Sequence, residues 1–164
     1  MSSVTFQIRK LYAWAVRACC TLQSPFLLFV RLYWGVQLTQ NGWGKLHNLP
    51  RVTEFFGSLG LPAPGPTAAF VSTIEFLGGI LLIIGLFSRF LGLIVTIDMT
   101  MAYIASDREA LFSIFSDPGK FYVADPYTFL FAALLILIFG PGQYALDTYL
   151  LRRFPYPNST AAPK

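Results

Sequence analysis

The stretch Thr67 to Leu86, TAAFVSTIEFLGGILLIIGL, holds twenty residues with no basic side chain and a single acid, Glu75, near its middle. At ~1.5 Å per residue, twenty apolar residues cover the ~30 Å of bilayer hydrocarbon. A soluble core helix of that length would ordinarily carry a charged face. The stretch therefore predicts a transmembrane helix with a buried carboxylate. Helical spacing puts Ser72, Gly78, Gly79 and Leu82 on the same face as Glu75, and small residues there allow another helix to come close. An acid at that depth is costly unless paired or protonated, so it marks either a functional site or a polar pin for helix packing.

Composition agrees with the membrane class. Of 164 residues, 55% are hydrophobic, 16% aromatic and only 12% charged, about half the charged share of a soluble domain. The net charge of +4 is spread between apolar runs with no basic tract, which argues for membrane topology and against nucleic acid. Cys19 and Cys20 are adjacent and imply no disulfide framework. Arg17 interrupts the apolar core that a cleavable signal or lipoprotein signal needs.

Outward from the deciding stretch, residues 4–22 combine Leu11, Trp14, Ala15, Ala18 and Leu22 with Arg9, Lys10 and Arg17. This pattern predicts an amphipathic helix lying on the membrane surface. Ser24 and Pro25 then read as a helix start, opening a first span over about 24–43. On it Arg31, Gly35, Leu38, Gly42 and Lys45 share an inward face. Residues 41–66 form an ordered connection with a short amphipathic piece, Val52 to Leu59. Trp43, Phe55 and Phe56 suit the lipid–water boundary. The second span covers 67–86. A tight turn at Phe87-Ser88-Arg89 leads into a third, 89–105, with Asp98 on the face of Val95, Met101, Ala102 and Ala105. Asp117-Pro118-Gly119 reads as a turn, and a short fourth span covers 126–140. A basic amphipathic helix, Tyr144 to Phe154, and a disordered tail from Pro155 close the chain.

The expected fold is all-α: an integral membrane four-helix bundle with an amphipathic interfacial helix before it and a short amphipathic helix after it. The expected units are 1–23, a four-span domain over 24–142, and 143–164. Arg9, Lys10, Arg17, Arg89, Arg152, Arg153 and Lys164 fall on one side, and Lys45, Arg51, Arg108 and Lys120 with most acids on the other, a bias that orients both termini to the cytoplasm.

Depth counted from the helix ends puts Arg31 roughly 9 Å, Asp98 roughly 14 Å, Glu75 about 16 Å and Gln37 about 18 Å from the inner boundary. The count predicts that Arg31 pairs with Glu75, Asp98 or both, since any of them alone would be costly. Two readings of such a cluster stand side by side: a proton-exchanging site for a buried ligand, or a satisfied network that sets helix register. His47 is the only histidine, and with no nearby cysteine it makes neither a zinc site nor a haem pair.

Taken in order, several short motifs resemble the DoxX family of small four-helix membrane proteins over roughly Phe26 to Asp147. They are Arg31 with Gly35, Gly42-Trp43-Gly44-Lys45-Leu46, Phe55 with Leu59-Gly60-Leu61-Pro62, Glu75 with Gly78-Gly79, Gly85-Leu86-x-x-Arg89, and Gly140-Pro141-Gly142 with Asp147. The resemblance implies the fold and placement in a bacterial inner membrane. Relatives include the DoxD-type subunit of a thiosulfate:quinone oxidoreductase, and others act as partners or chaperones for membrane cargo. It therefore implies a quinone ligand and a redox partner subunit as expectations; a homo-oligomer is a further expectation, not drawn from the resemblance. Glu75, Asp98 and Arg31 are the expected catalytic residues. Gln37, Lys45, Trp43, Gly78 and Gly79 are the expected ligand-binding ones, with no metal. The alternative is a non-enzymatic scaffold or partner-binding protein.

Overall fold

The computed structural model describes residues 3–154, with side chains from residue 7. All regular structure there is helical: α1 (Ser3–His47), α2 (Leu49–Ser58), α3 (Pro64–Ile84), α4 (Ser88–Ala105), α5 (Arg108–Phe112), α6 (Pro118–Val123), α7 (Pro126–Phe139) and α8 (Leu146–Arg153). Three of them, α1, α3 and α4, are long and apolar enough to cross a membrane, and α7 is a shorter apolar helix. The expected tail beyond Pro155 lies outside the described residues.

Proline marks several of the helix starts, where its missing N–H does no harm: Pro64, Pro118 and Pro126 each stand in the first turn. Pro118 thus begins α6, where a turn was expected. Gly85 ends α3 in the left-handed conformation at φ 79. The Leu86 amide donates to Leu81 O at 3.0 Å, satisfying a carbonyl that the helix end would leave bare.

Pro25 does not behave like the others. It lies inside α1, which runs unbroken from Ser3 to His47, so the expected boundary between a surface helix and a first span is corrected. An internal proline removes one hydrogen bond and crowds the preceding turn. Nothing else from Arg17 to Gln23 favours a break, because the segment has no glycine or further proline. The Ser24 hydroxyl, expected to cap a helix, instead accepts from the Gln143 amide at 3.3 Å.

The most extensive packing joins α1 to α3 and α4 to α7, with α1 also meeting α7 and α3 meeting α4. Both main pairs are antiparallel. The shared core holds Val30, Leu38, Leu82, Leu91, Val95, Met99, Ala132, Ala133 and Ile136. The face predicted for α3 is the buried one, with Ser72, Glu75, Gly78, Gly79 and Leu82 all inside. On α4 the buried ridge is Val95, Met99 and Tyr103, while Met101 turns outward at 49% exposure.

Candidate functional site

Close contact between α1 and α3 builds the site. A Cβ on Gly42 would run into the α3 backbone at Glu75 and Phe76, and one on Gly79 would run into Thr39 and the Gly35 carbonyl. The helices therefore touch backbone to backbone along this line, as small residues permit. Lys45 stands one turn beyond Gly42 on the same face. That register carries its ammonium onto the Glu75 carboxylate, Nζ to Oε1, at 2.6 Å.

The pair is lopsided: the Lys45 side chain is 35% exposed and the Glu75 side chain 3%. Glu75 Oε2 is buried and accepts no hydrogen bond. From α4, Asp98 comes within electrostatic reach of both Glu75 and Lys45, and its Oδ2 is likewise buried without a partner. One ammonium thus faces two carboxylates, with two acceptor oxygens unmet.

The other expected site residues divide around this centre. Trp43 packs on Phe76 with centroids 5.3 Å apart and on His47 at 4.0 Å, and the His47 ring nitrogen lies 3.0 Å from the Trp43 carbonyl oxygen. Gln37 is half-buried on α1. A Cβ on Gly78 would meet only Leu91 at 3.8 Å, so space remains beside it. Gly79 belongs to the helix crossing. Among the described residues, no group of three His, Cys, Asp or Glu side chains is arranged to hold a metal ion.

Arg31 is elsewhere, and its expected pairing with Glu75 or Asp98 is corrected. Its guanidinium is fully buried, donates from Nη2 to the Tyr144 carbonyl at 2.7 Å and presses Nη1 against Gly85, where a Cβ would stand. Being level with Gly85 puts it about ten residues, or ~15 Å, from Glu75 along the helix axis. The depth count erred because it took Pro25 as the end of α1, and α1 has no end there.

A second polar assembly surrounds Arg31. The Asp147 carboxylate attracts the guanidinium while accepting from the Phe87 and Ser88 amides, both at 2.8 Å, and its own amide donates to Gly85 O at 2.9 Å. Arg89 donates to Leu137 O at 3.2 Å and lies against Gly140, whose φ of 80 and missing Cβ admit the guanidinium. Sequence reasoning missed that Lys45 is the partner of Glu75, although Lys45 was already on the inward face of Gly42. It also missed the role of Asp147, whose only signal was its place after Gly140-Pro141-Gly142.

Apart from Phe55 with Leu59-Gly60-Leu61-Pro62, the motifs quoted from the sequence contribute residues to these two centres, and the DoxX family model matches residues 26–108. The chain belongs to the DoxX family. It is a DoxX-family membrane protein similar to the Bacillus subtilis (strain 168) protein named "Putative oxidoreductase CatD", at 26% identity over 125 residues, 76% of this chain and 87% of that protein. It is also similar to a Haemophilus influenzae protein named "Uncharacterized protein", at 30% identity over 132 residues, 78% of this chain and 92% of the relative. No solved structure matches this DoxX protein.

Proposed function

We propose that this DoxX protein is the membrane subunit of a redox system and holds a quinone or similar small apolar molecule beside Lys45, Glu75 and Asp98. The observation that carries the reading is the pair of buried, unpartnered oxygens, Glu75 Oε2 and Asp98 Oδ2, next to a cation. Each unmet buried acceptor costs ~1–3 kcal/mol, a cost that a ligand's hydrogen-bonding groups would offset. The name of the Bacillus relative supports an oxidoreductase role.

The two unmet oxygens are acceptors, which the hydroxyls of a quinol would meet by donating, while the carbonyls of the oxidised quinone would accept from Lys45 or from a protonated carboxyl. When bound, the couple supplies two-electron, two-proton redox chemistry in an apolar body. Glu75 and Asp98 would hold or release protons at the two free oxygens. Lys45 has further N–H groups beyond its bond to Glu75 and would orient a carbonyl. Gln37, Trp43 and Gly78 would wall the site. Arg31 would act from the other centre by holding the helix ends. Electrons would come from a partner subunit, and a homo-oligomer is part of the same proposal.

The proposed membrane topology is multi-pass, with α1, α3, α4 and α7 crossing as a four-helix bundle over residues 24–142 and both termini in the cytoplasm of a bacterial cell. The first part of α1, before residue 24, would continue that helix out of the bundle at the inner face, and the amphipathic α8 would flank the bundle there. The fourteen residues of α7 cover ~21 Å, so the inner membrane would thin locally around it.

The closed 2.6 Å pair of Lys45 and Glu75 favours a second reading, a scaffold or partner-binding protein whose charges hold the helices in register. Mass spectrometry of small molecules co-purifying with wild type and Glu75→Gln separates the two. Retention of a quinone by the wild type, and its loss from a monodisperse variant, is the expected result. Ligand-free wild type together with an aggregating variant would support the scaffold.

A further inference from the structure

At the end of the molecule where Gly85 lies against Ala145 and Gly142 against Ser24 and Leu27, a groove of about 730 Å³ opens between α1, the start of α4, the end of α7 and α8. Its walls are mostly apolar, with Leu27, Phe87, Phe90, Phe139, Leu150 and Leu151 among them. Phe90 and Phe139 are 63% and 54% exposed. A groove with such walls at the end of membrane-length helices faces the level where lipid chains join their headgroups.

The charge at this level is one-sided. Arg89 lines the groove and is held by its contact with Gly140 and its bond to Leu137 O. Arg17 lies about one helical turn before the groove residue Cys20, and Arg152 and Arg153 follow the groove residues Leu150 and Leu151; all three are exposed. The acid in the groove, Asp147, already serves the Phe87 and Ser88 amides and faces buried Arg31. It therefore leaves the surrounding arginines uncompensated. The opposite end of the molecule differs, since the depression there is lined by Asp107, Glu109 and Asp117 as well as Arg108 and Lys120.

We propose that the groove seats a phospholipid with a net anionic headgroup, its phosphate at Arg89 and its acyl chain along Phe90 and Phe139. Apolar walls alone would take any lipid; the fixed guanidinium and its basic neighbours select for anionic charge. The Ser24 and Gln143 edge offers polar groups to the headgroup. This site is separate from Lys45, Glu75 and Asp98 and does not depend on the redox reading.

The test uses the full chain in mild detergent, titrated with phosphatidylglycerol or phosphatidylcholine and read by native mass spectrometry. Phosphatidylglycerol should bind roughly tenfold more tightly, as a few added charge contacts allow. Arg89→Lys should keep that preference, and Arg89→Gln should lose it. Gln143→Glu, at an exposed groove side chain, should lose it with the fold intact, which keeps the proposal testable if the Arg89 variants fail to fold. A photo-reactive residue at Phe90 should crosslink to lipid in membranes. Equal affinity for the two lipids, an unaffected Gln143→Glu variant, displacement of the lipid by inorganic phosphate alone, or crosslinking chiefly to protein would each overturn it.

Discussion

Asp147 caps a helix that begins 59 residues earlier: its Oδ2 accepts from the Ser88 amide at 2.8 Å while Oδ1 accepts from Phe87. Phe87 is in the left-handed region at φ 52, which is unfavourable for a residue with a side chain. The carboxylate holds it there and neutralises the N-terminal end of α4.

Removing this cap should therefore cost more than an ordinary surface change. Asp147→Ala leaves two amides bare and deprives buried Arg31 of its nearby negative charge, for a loss of ~2–4 kcal/mol. Asp147→Asn keeps one acceptor and should fall between. Thermal unfolding in detergent, followed by circular dichroism, ranks the three proteins, and equal melting temperatures would contradict the cap.

Gly42 and Gly44 make a matched pair of probes two residues apart. A Cβ on Gly42 meets the α3 backbone, whereas one on Gly44 meets nothing within 4 Å. Gly42→Ala should force the helices apart and loosen the Lys45–Glu75 pair, costing ~1–3 kcal/mol. Gly44→Ala should be neutral or stabilise by about 1 kcal/mol, because alanine favours helix. Melting temperatures of the two variants check the register directly.

Lys45 and Glu75 should show strong coupling. Lys45→Ala alone leaves a buried carboxylate unpaired and should cost ~3–5 kcal/mol. Lys45→Ala with Glu75→Gln removes both charges and should recover part of that loss. A double-mutant cycle in detergent reads the interaction, and simple additivity would mean that the 2.6 Å contact is not formed in solution.

Tyr103 is fully buried and its hydroxyl donates to the Phe121 carbonyl at 2.8 Å, tying α4 to α6. Tyr103→Phe should cost ~0.5–1.5 kcal/mol and raise hydrogen exchange in residues 118–123 above that in α3. Unchanged exchange there would show that stacking of the Tyr103 and Phe121 rings, at 4.9 Å, is enough.

What the chain declares by itself is decided by local quantities. Run lengths and hydropathy identified the apolar helices, and three-to-four-residue spacing placed Ser72, Glu75, Gly78, Gly79 and Leu82 on the inner face of α3, because a helix's own geometry determines which residues share a side. Proline at Pro126 and glycine at Gly85 set helix limits for equally local reasons, while α3 begins at Pro64, three residues before the expected start.

Which charges meet is a different kind of question. Arg31 and Lys45 both lie on the inward face of α1, and the choice of partner for Glu75 turned on axial register. That register comes from where Gly42 and Gly79 let two backbones touch, and from α1 running through Pro25. Asp147 reaches Ser88 only because residues 140–147 pass beneath the α3–α4 turn, against Arg31 and Arg89. Periodicity carries no information about axial sliding between helices or about the path of a loop, so only the tertiary structure decided that Lys45, rather than Arg31, neutralises Glu75.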